Sequence, residues 1–404
     1  MYTQQFTPDE LYKFVRQVER KRLHMDSNAV KEALNGEVSE TIRTDSYTFR
    51  IRQSGDLYLN GHPSGSIEAV GQDALMRKLA DNVRRVSHVK QGDRNRIIRQ
   101  MIRLLQDEGS HYILRLDIKS FYESIDHDRL LNQLTDEGRL SGQSIRLMKE
   151  KIFKQTGNGL PRGLGISSAL AETYMKRFDY EVQHAEGVYY FARFVDDIIV
   201  FCASQQFLEA VKEHIGEWIK DKGLEINRRK SRSWGIRVEK NPKRCSQILG
   251  SGALTYLGYD FSVDHDKLRI SISAKKVRKI KTRIVRSFMS YVKKPNFKLL
   301  EKRIKFLTGN FVLKDKTLLR AVHVGIYYTY CHITQPSPEL VELDRFYQNI
   351  LHASKTNVIG QAILNLSTQE RSRLQRHSFA CGFEKKIHHS FSPQEIKAMK
   401  SIWR

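Results

Sequence analysis

An adjacent pair of aspartates, Asp196 and Asp197, interrupts the apolar stretch YYFARFVDDIIVFCAS near the middle of the chain. Residues 189–194 and 198–201 are rich in aromatic and β-branched side chains, which predicts two strands joined by a tight turn. A turn needs only one carboxylate to bond its backbone amides, and two adjacent carboxylates repel each other. The pair therefore indicates a bound cation, with plain turn chemistry as the alternative.

A third aspartate ends another predicted strand. In HYILRLDIKSFYESI, Asp117 stands where an apolar strand gives way to a helical segment. Three carboxylates at the end of one sheet can hold two divalent ions about 3.5–4 Å apart, the arrangement that phosphoryl transfer to a hydroxyl uses. Magnesium suits such a site, because it binds a few carboxylates together with phosphate oxygens. By itself, Asp117 is better explained as a strand-end or helix N-cap residue.

The charge of the chain indicates a polyanionic partner. The 404 residues carry a formal net charge of +24, which favours nucleic acid as the ligand. We expect no membrane partner and an intracellular location, because no stretch approaches ~18 consecutive apolar residues and the N-terminus lacks a signal-peptide layout. Scattered cysteines predict neither a disulfide framework nor a zinc cluster. They are Cys202, Cys245, Cys331 and Cys381.

Helical and strand patterns alternate along the middle of the chain and predict an α/β or α+β fold, of which we favour α+β. A hairpin is expected within residues 46–65, where alternation surrounds glycine-bearing turns. A helix should end at Gly223 and lead into a short strand. Other helices are predicted from a capping signal or from amphipathic spacing. They cover residues 7–26, 73–89, 94–109, 275–294, 339–355 and 383–403.

The stretch GLPRGLGISSALAE combines glycines with a helical start. Its glycines and proline predict a backbone that can approach a ligand closely. A serine at the end of the stretch is expected to cap the helix that follows. The residues concerned are Gly159, Pro161, Gly163, Gly165, Ser167 and Ser168.

Four stretches together resemble reverse transcriptases. LRLDIKSFYESI is similar to their first catalytic motif, GLPRGLGISSALAE to the second, FVDD to the third in place of Tyr-x-Asp-Asp, and LTYLGYDF to the primer-grip hairpin. The order and spacing match a right-hand palm, and the likeness covers about residues 50–262. It is strongest toward bacterial enzymes of the retron, abortive-infection and defence-associated kinds.

The resemblance implies a right-hand polymerase with palm, fingers and thumb, plus a C-terminal helical extension. The expected domains are an N-terminal helix and fingers at 1–110, a palm with interleaved fingers at 111–265, a thumb at 266–331 and the extension at 332–404. It also implies an RNA template and a DNA product. A role in anti-phage defence in the bacterial cytoplasm, with a noncoding RNA or a partner protein, follows from the same likeness, and oligomerisation is left open.

The family's site residues carry over to matching positions. Asp117, Asp196 and Asp197 are then the catalytic residues that hold Mg²⁺, or Mn²⁺ as the alternative, and the Ile118 carbonyl is a further metal ligand. Tyr122, beside Phe121, falls where the family keeps an aromatic ring that collides with a 2′-hydroxyl, which favours deoxynucleotides.

Further nucleotide and primer contacts follow from the same carry-over. Pro161, Arg162 and Gly163 would line the nucleotide, although the family usually has glutamine in place of Arg162. Lys230 matches a lysine near the leaving pyrophosphate. Fingers residues that could hold the triphosphate are Lys90, Arg94 and Arg96. The primer grip corresponds to Tyr256, Leu257 and Gly258.

Two competing interpretations stay open at this stage. An RNA polymerase or an untemplated terminal nucleotidyltransferase could use the same scaffold, and sugar selectivity distinguishes the former. A non-catalytic nucleic-acid-binding scaffold would share the basic charge. A non-catalytic scaffold, however, has little reason to maintain three mutually repulsive aspartates.

Overall fold

The computed structural model describes residues 3–107, 110–237, 247–250, 253–264, 267–314 and 321–403, so Cys245 lies outside the described residues. Two compact units divide the chain. The first comprises Met1–Val238 with Leu249–Ser251, and the second comprises Glu239–Ile248 with Gly252–Arg404. In the part of the chain that is described, no helix is long and apolar enough to cross a bilayer.

A five-stranded sheet carries the predicted site. The first seven strands of the chain are β1 (Ile51–Ser54), β2 (Leu57–Asn60), β3 (His111–Asp117), β4 (Val188–Phe194), β5 (Asp197–Cys202), β6 (Arg232–Arg237) and β7 (Gln247–Gly250). The sheet has the order β4-β5-β3-β6-β7, and β3 pairs antiparallel with both β5 and β6. Strand β5 is buried from Ile198 to Cys202, as its continuous apolar sequence predicts. The separate β1–β2 hairpin confirms the prediction for residues 46–65.

Helices of the first unit pack around this sheet in one apolar core. Two π-helical segments, Asn35–Glu40 and Leu147–Phe153, extend neighbouring helices. The predicted helix that ends at Gly223 is confirmed, and only an isolated bridge between Ile118 and Ile226 follows it in place of the expected strand. The helices are α1 (Pro8–Phe14), α2 (Gln17–Leu23), α3 (Ser27–Leu34), α4 (Thr41–Arg43), α5 (Ile67–Ser87), α6 (Arg94–Leu105), α7 (Phe121–Ser124), α8 (His127–Asp136), α9 (Gly142–Arg146), α10 (Lys154–Thr156), α11 (Ser167–Gln183) and α12 (Gln205–Asp221).

The N-terminal prediction of one helix was wrong, because the chain breaks into α1 and α2 at Val15. The Thr7 hydroxyl caps α1 as predicted, accepting from the Glu10 amide. At the break, the Arg20 guanidinium donates to the carbonyl oxygens of Tyr12 and Val15 at 3.0 and 3.1 Å. These two local bonds supply donors to carbonyls at the end of α1, where the helix stops.

The second unit combines two three-stranded sheets with helices. Its strands are β8 (Leu254–Tyr256), β9 (Tyr259–Asp264), β10 (Lys267–Ile272), β11 (Asn310–Lys314), β12 (Ala321–Gly325) and β13 (His388–His389), in the orders β10-β9-β8 and β12-β11-β13. Its helices are α13 (Ala274–Lys293), α14 (Phe297–Thr308), α15 (Ile326–Thr329), α16 (Pro338–Leu351), α17 (Val358–Leu364), α18 (Thr368–Gln375), α19 (Phe379–Glu384) and α20 (Pro393–Lys400).

Residues 383–403 do not form the continuous helical run that their sequence predicts. Strand β13 lies between α19 and α20 and pairs parallel with β11. The buried side-chain amide of Asn310 donates to the carbonyl oxygens of Gly382 and Ile387. The backbone amide of Asn310 also donates to the Ile387 carbonyl oxygen. These long-range bonds draw the segment into a sheet. Boundaries between the predicted palm, thumb and extension stay predictions.

Candidate active site

The β4–β5 hairpin places the aspartate pair at the end of the five-stranded sheet. Phe194 pairs with Asp197, so only Val195 and Asp196 form the turn. Val195 has a positive φ of 61°, which is unfavourable for a β-branched residue. The predicted hairpin is confirmed, with Asp197 as the first residue of its second strand.

The third aspartate lies directly beside this turn. Asp117 ends β3 and is the antiparallel partner of Asp197 in β5. The Ile118 amide donates to the Asp196 carbonyl oxygen at 3.0 Å, which fixes the two segments side by side. The three aspartates therefore converge at one sheet end, as their sequence positions predict.

Two of the three carboxylates are paired with basic side chains. Lys230 Nζ lies 2.8 and 3.0 Å from the two carboxylate oxygens of Asp117, whose side chain is almost fully buried. Arg115, on β3, donates from Nε and Nη2 to Asp197 Oδ1 at 3.0 and 2.8 Å. The structure thus brings Lys230 into the site and adds Arg115, which the sequence analysis missed.

Burial and mutual repulsion make a cation favourable here. Burial raises the pKa of Asp196, and the carboxylates of Asp117 and Asp197 raise it further. Burial also raises the pKa of Asp197, although Arg115 opposes this effect. Carboxylate oxygens are the donors that hard divalent cations prefer. Within the described ranges no group of three or more His, Cys, Asp or Glu side chains is already arranged around a metal position, and Lys230 and Arg115 occupy two of the carboxylates.

A cavity of about 240 Å³ opens beside Asp196. Four of the residues predicted to contact the nucleotide line it, namely Phe121, Tyr122, Arg162 and Gly163, whereas Pro161, Lys230, Lys90 and Arg94 do not. The aromatic rings of Phe121 and Tyr122 lie 5.6 Å apart, edge to face, at its wall. Its lining consists of Phe121, Tyr122, Arg162, Gly163, Leu164, Ser167, Ser168, Val195 and Asp196.

Arg162 makes a two-point ion pair with Glu123 in this cavity wall. The guanidinium Nε and Nη2 lie 2.5 and 3.0 Å from the two Glu123 oxygens, and both side chains are about half exposed. The guanidinium carbon is 5.7 Å from the centre of the Tyr122 ring. Glu123 was missed in the sequence, although its position directly after Tyr122 offers a signal.

The glycines of the loop before α11 allow close approach of protein backbones. Gly159 has φ 76°, and a Cβ there would lie 2.5 Å from the Glu123 Cα. Gly163 has φ 97°, and a Cβ there would lie 2.6 Å from the Tyr58 carbonyl oxygen. The loop is thereby held between the β1–β2 hairpin and α7, where the Tyr58 amide donates to the Arg162 carbonyl at 2.7 Å.

The predicted serine cap on α11 was wrong. Ile166 is the N-cap residue, and no side chain caps the helix. The Ser167 hydroxyl donates to the Pro161 carbonyl oxygen at 2.6 Å instead, which closes the loop upon itself. Ser168 accepts from Arg84 Nη2 at 3.4 Å.

The predicted fingers residues do not line the 240 Å³ cavity. Lys90 borders a different cavity of about 480 Å³, whose wall includes Glu172 and Asp179. Arg94 begins α6, and the Asp93 carboxylate caps that helix through the Arg96 amide. A triphosphate contact by Lys90, Arg94 or Arg96 stays a prediction.

The predicted primer-grip stretch forms a hairpin in the second unit. Leu257 and Gly258 have φ of 46° and 87° between paired strands β8 and β9, as a type I′ turn requires. Tyr256 and Tyr259 on either side of the turn are fully buried. The hairpin is confirmed, and its contact with a primer stays a prediction.

The sequence analysis also missed a buried ionic cluster behind the turn. It consists of Arg193 on β4 with Glu172 and Asp179 on α11. Two signals were available. Arg193 is a charge inside an apolar strand, and the two acidic residues are seven positions apart, which places them on one helix face.

Comparison with known proteins identifies the family. The reverse transcriptase (RNA-dependent DNA polymerase) family matches residues 74–307, more than half of the chain. The chain belongs to this family, whose members share the right-hand polymerase fold and use divalent metal ions. No curated protein matches the chain.

Solved structures of telomerase are similar at low identity. Apo telomerase from Candida tropicalis, truncated from its C-terminal domain, has 13% identity and a TM-score of 0.37 over 59% of this chain and 60% of that one. Telomerases of Candida tropicalis and Candida albicans, in complex with the TWJ fragment of telomeric RNA, have 14% and 11% identity and TM-scores of 0.37 and 0.35. They are matched over 81% of this chain, which spans 56% and 53% of their length.

Proposed function

We propose that this polymerase copies RNA by extending a 3′-hydroxyl with deoxynucleotides, and that Asp117, Asp196 and Asp197 hold Mg²⁺. The observation that carries the proposal is the convergence of these three aspartates at one sheet end. The cavity that Asp196 shares with Tyr122 lies directly beside them. A carboxylate cluster beside an open cavity is what metal-assisted phosphoryl transfer requires.

Each residue of the cluster has a proposed task. When bound, Mg²⁺ lowers the pKa of the attacking hydroxyl and stabilises charge on the phosphoryl oxygens. The aspartates supply oxygen ligands, together with the Ile118 carbonyl. Lys230, half exposed beside Asp117, exchanges its carboxylate partner for the leaving pyrophosphate, where it acts as a charge clamp or a proton donor. Arg115 keeps the Asp197 carboxylate oriented.

Tyr122 is proposed to select the sugar. Its ring is half buried against Phe121 in the cavity wall, so it cannot swing away without losing that packing. A ring in this position collides with the 2′-hydroxyl of a ribonucleotide. Pro161, Arg162 and Gly163 are proposed to contact the base and phosphates. Nucleotide contacts by Lys90 and Arg94, and primer contacts by Tyr256, Leu257 and Gly258, are further proposals.

A sugar-competition assay tests this proposal. Purified protein with Mg²⁺ extends a primer on an RNA template with labelled deoxynucleotides or labelled ribonucleotides. We expect wild type to prefer deoxynucleotides and Tyr122→Ala to lose most of that preference, while the exposed Tyr180→Ala control keeps it. Equal use of ribonucleotides by wild type would favour an RNA polymerase. Incorporation that ignores the template would favour a terminal transferase.

The biological setting proposed is anti-phage defence in bacteria, with a noncoding RNA or a protein partner. The support is the motif likeness to retron, abortive-infection and defence-associated enzymes. Sequencing of RNA that copurifies with the protein identifies a template, and phage challenge of bacteria expressing wild type or Asp196→Asn tests protection. A protective effect that survives Asp196→Asn would separate defence from DNA synthesis.

A further inference from the structure

The side chain of Arg193 is buried, with 2% of its surface exposed. Its Nε and Nη2 donate to the two Asp179 oxygens at 2.8 and 2.7 Å. Nη2 and Nη1 also donate to the two Glu172 oxygens at 2.6 and 3.4 Å. A fifth bond runs from Nη1 to the Val195 carbonyl oxygen at 3.1 Å. An arginine has five N–H donors, so these five bonds use the whole guanidinium.

Stability alone gives little reason for such a cluster. Buried ion pairs lose hydration that their attraction only partly restores, and apolar side chains of similar volume often stabilise a protein as well or better. Burial raises the pKa of Glu172, which shows the cost of its charge in this position. A rigid, directional arrangement is what two carboxylates and a planar guanidinium provide in return.

Through its bond to the Val195 carbonyl, the rigid Arg193 cluster contacts the turn that carries Asp196. Val195 is the strained residue of the turn that carries Asp196, and such backbone persists where its surroundings over-determine it. The carbonyl oxygens of both turn residues accept hydrogen bonds from groups other than the strand amides of the hairpin. Arg193 binds the Val195 carbonyl through its side chain, and the Ile118 amide binds that of Asp196.

We propose that Arg193 is a positioning residue, clamped by Glu172 and Asp179, which holds the Val195–Asp196 turn so that Asp196 and Asp197 present their carboxylates to divalent metal. The inference rests on the proposed metal-holding role of these aspartates. It also ties the turn to α11, whose first residues line the nucleotide cavity. Gly92 packs against the same strand, since a Cβ there would lie 2.9 Å from the Arg193 carbonyl oxygen.

Manganese binding tests the proposal without catalysis. Mn²⁺ is titrated into the full chain and its free electron paramagnetic resonance signal is followed, for wild type, Arg193→Lys, Glu172→Gln and Asp196→Asn. Arg193→Lys keeps the charge but loses the planar fork, and Glu172→Gln keeps the shape but loses charge. The control is Arg177→Lys. Arg177 is an exposed arginine of α11, the helix that carries Glu172, and it is paired with Glu181.

We expect Arg193→Lys and Glu172→Gln to weaken Mn²⁺ binding by about 10- to 100-fold, as loss of a metal-orienting partner does elsewhere. Primer extension should show a matching fall in kcat at saturating deoxynucleotide, with little change in KM, and excess Mn²⁺ should restore part of kcat. Circular dichroism and thermal unfolding report whether each variant folds. If Arg193→Lys does not fold, Glu172→Gln, which leaves Arg193 in place, decides the question.

Wild-type Mn²⁺ affinity and kcat in a folded Arg193→Lys or Glu172→Gln variant would overturn the inference. The Asp196→Asn arm separates this result from failure of the proposed function. If Asp196→Asn binds Mn²⁺ as wild type does, the metal-holding role of the aspartates is wrong. If only Asp196→Asn loses binding, the aspartates hold metal and Arg193 does not position them.

Discussion

At the scale of single residues, Arg162 contacts both the Glu123 carboxylate and the Tyr122 ring. It is bonded to Glu123 at two points while its guanidinium borders the nucleotide cavity and the Tyr122 ring. An exposed pair of this kind contributes only about 0–1 kcal/mol to stability. The guanidinium can therefore leave Glu123 for a nucleotide phosphate at small cost.

Replacement of Arg162 and replacement of Glu123 are expected to change the KM for deoxynucleotides in opposite directions. Arg162→Gln removes a charged phosphate donor and should raise KM about tenfold or more. Glu123→Gln releases the guanidinium from its competitor and should lower KM about two- to fivefold. Steady-state primer extension measures both, and thermal unfolding should show no more than a small change. A rise of KM in both variants would mean that the pair itself shapes the cavity.

Replacement of Asp196 by asparagine should stabilise the protein while removing its activity. Burial and two neighbouring carboxylates make the Asp196 charge unfavourable without metal, which its raised pKa reflects. Thermal unfolding in a chelator at neutral pH should show a Tm about 2–4 °C higher for Asp196→Asn. The exposed Asp136→Asn control should leave Tm unchanged. A lower Tm for Asp196→Asn would show that the carboxylate supports the fold.

At the scale of elements, the loop before α11 depends on two glycines with positive φ. Alanine at Gly159 or Gly163 is strained and meets the backbone of Glu123 or Tyr58, so each change should cost about 1–3 kcal/mol of unfolding free energy. Gly165→Ala is the matched control, because no atom lies within 4 Å of its Cβ. Denaturant unfolding measures all three. Equal stability of Gly159→Ala and Gly165→Ala would contradict the described loop.

His377, which follows α18, should make the second unit sensitive to acid. Burial, helped by the charges of Lys305 and His389 and opposed by Glu301, lowers the pKa of His377 to about 4. The unfolded chain then binds more protons than the folded one between about pH 4 and the ordinary histidine value of about 6.5. Unfolding free energy should therefore fall as pH drops through this window.

Unfolding curves at several pH values test this expectation. In His377→Leu, the unfolding free energy should decrease less as the pH drops. Part of the decrease should remain, because burial also lowers the pKa of His389. The exposed His352→Leu control should behave as wild type does. An unchanged pH profile in His377→Leu would show that this imidazole does not titrate within the window.

Sequence periodicity predicted elements well and their interruptions poorly. Helix α13 and the β4–β5 hairpin follow from local spacing of apolar residues, and the aspartates meet because strand ends could be located. The break at Val15 involves side-chain bonds of Arg20 that apolar spacing does not reveal, and the strand at His388–His389 depends on Asn310, which acts from elsewhere in the chain. Lys90 illustrates the same limit, because only tertiary packing shows which cavity a basic residue faces.

At the scale of the whole molecule, composition and fold lead to one class of chemistry. A net charge of +24 predicts a polyanionic partner, and membership of the reverse transcriptase family supports the proposal that this partner is nucleic acid. The first compact unit contains the aspartates and the 240 Å³ cavity beside Asp196 together. The candidate site is thus built from residues that motif order predicts, and the fold adds Arg115, Glu123 and Arg193 with partners that the sequence did not reveal.

The most direct test is Mg²⁺-dependent incorporation of labelled deoxynucleotides on a primed RNA template. Wild type is compared with the double variant Asp196→Asn, Asp197→Asn and with the exposed Asp136→Asn control, using nucleic acid that copurifies as a second template. We predict incorporation by wild type and control, and a loss of at least about a thousandfold in the double variant. Incorporation that persists in the folded double variant would contradict the assignment of these aspartates as the catalytic centre.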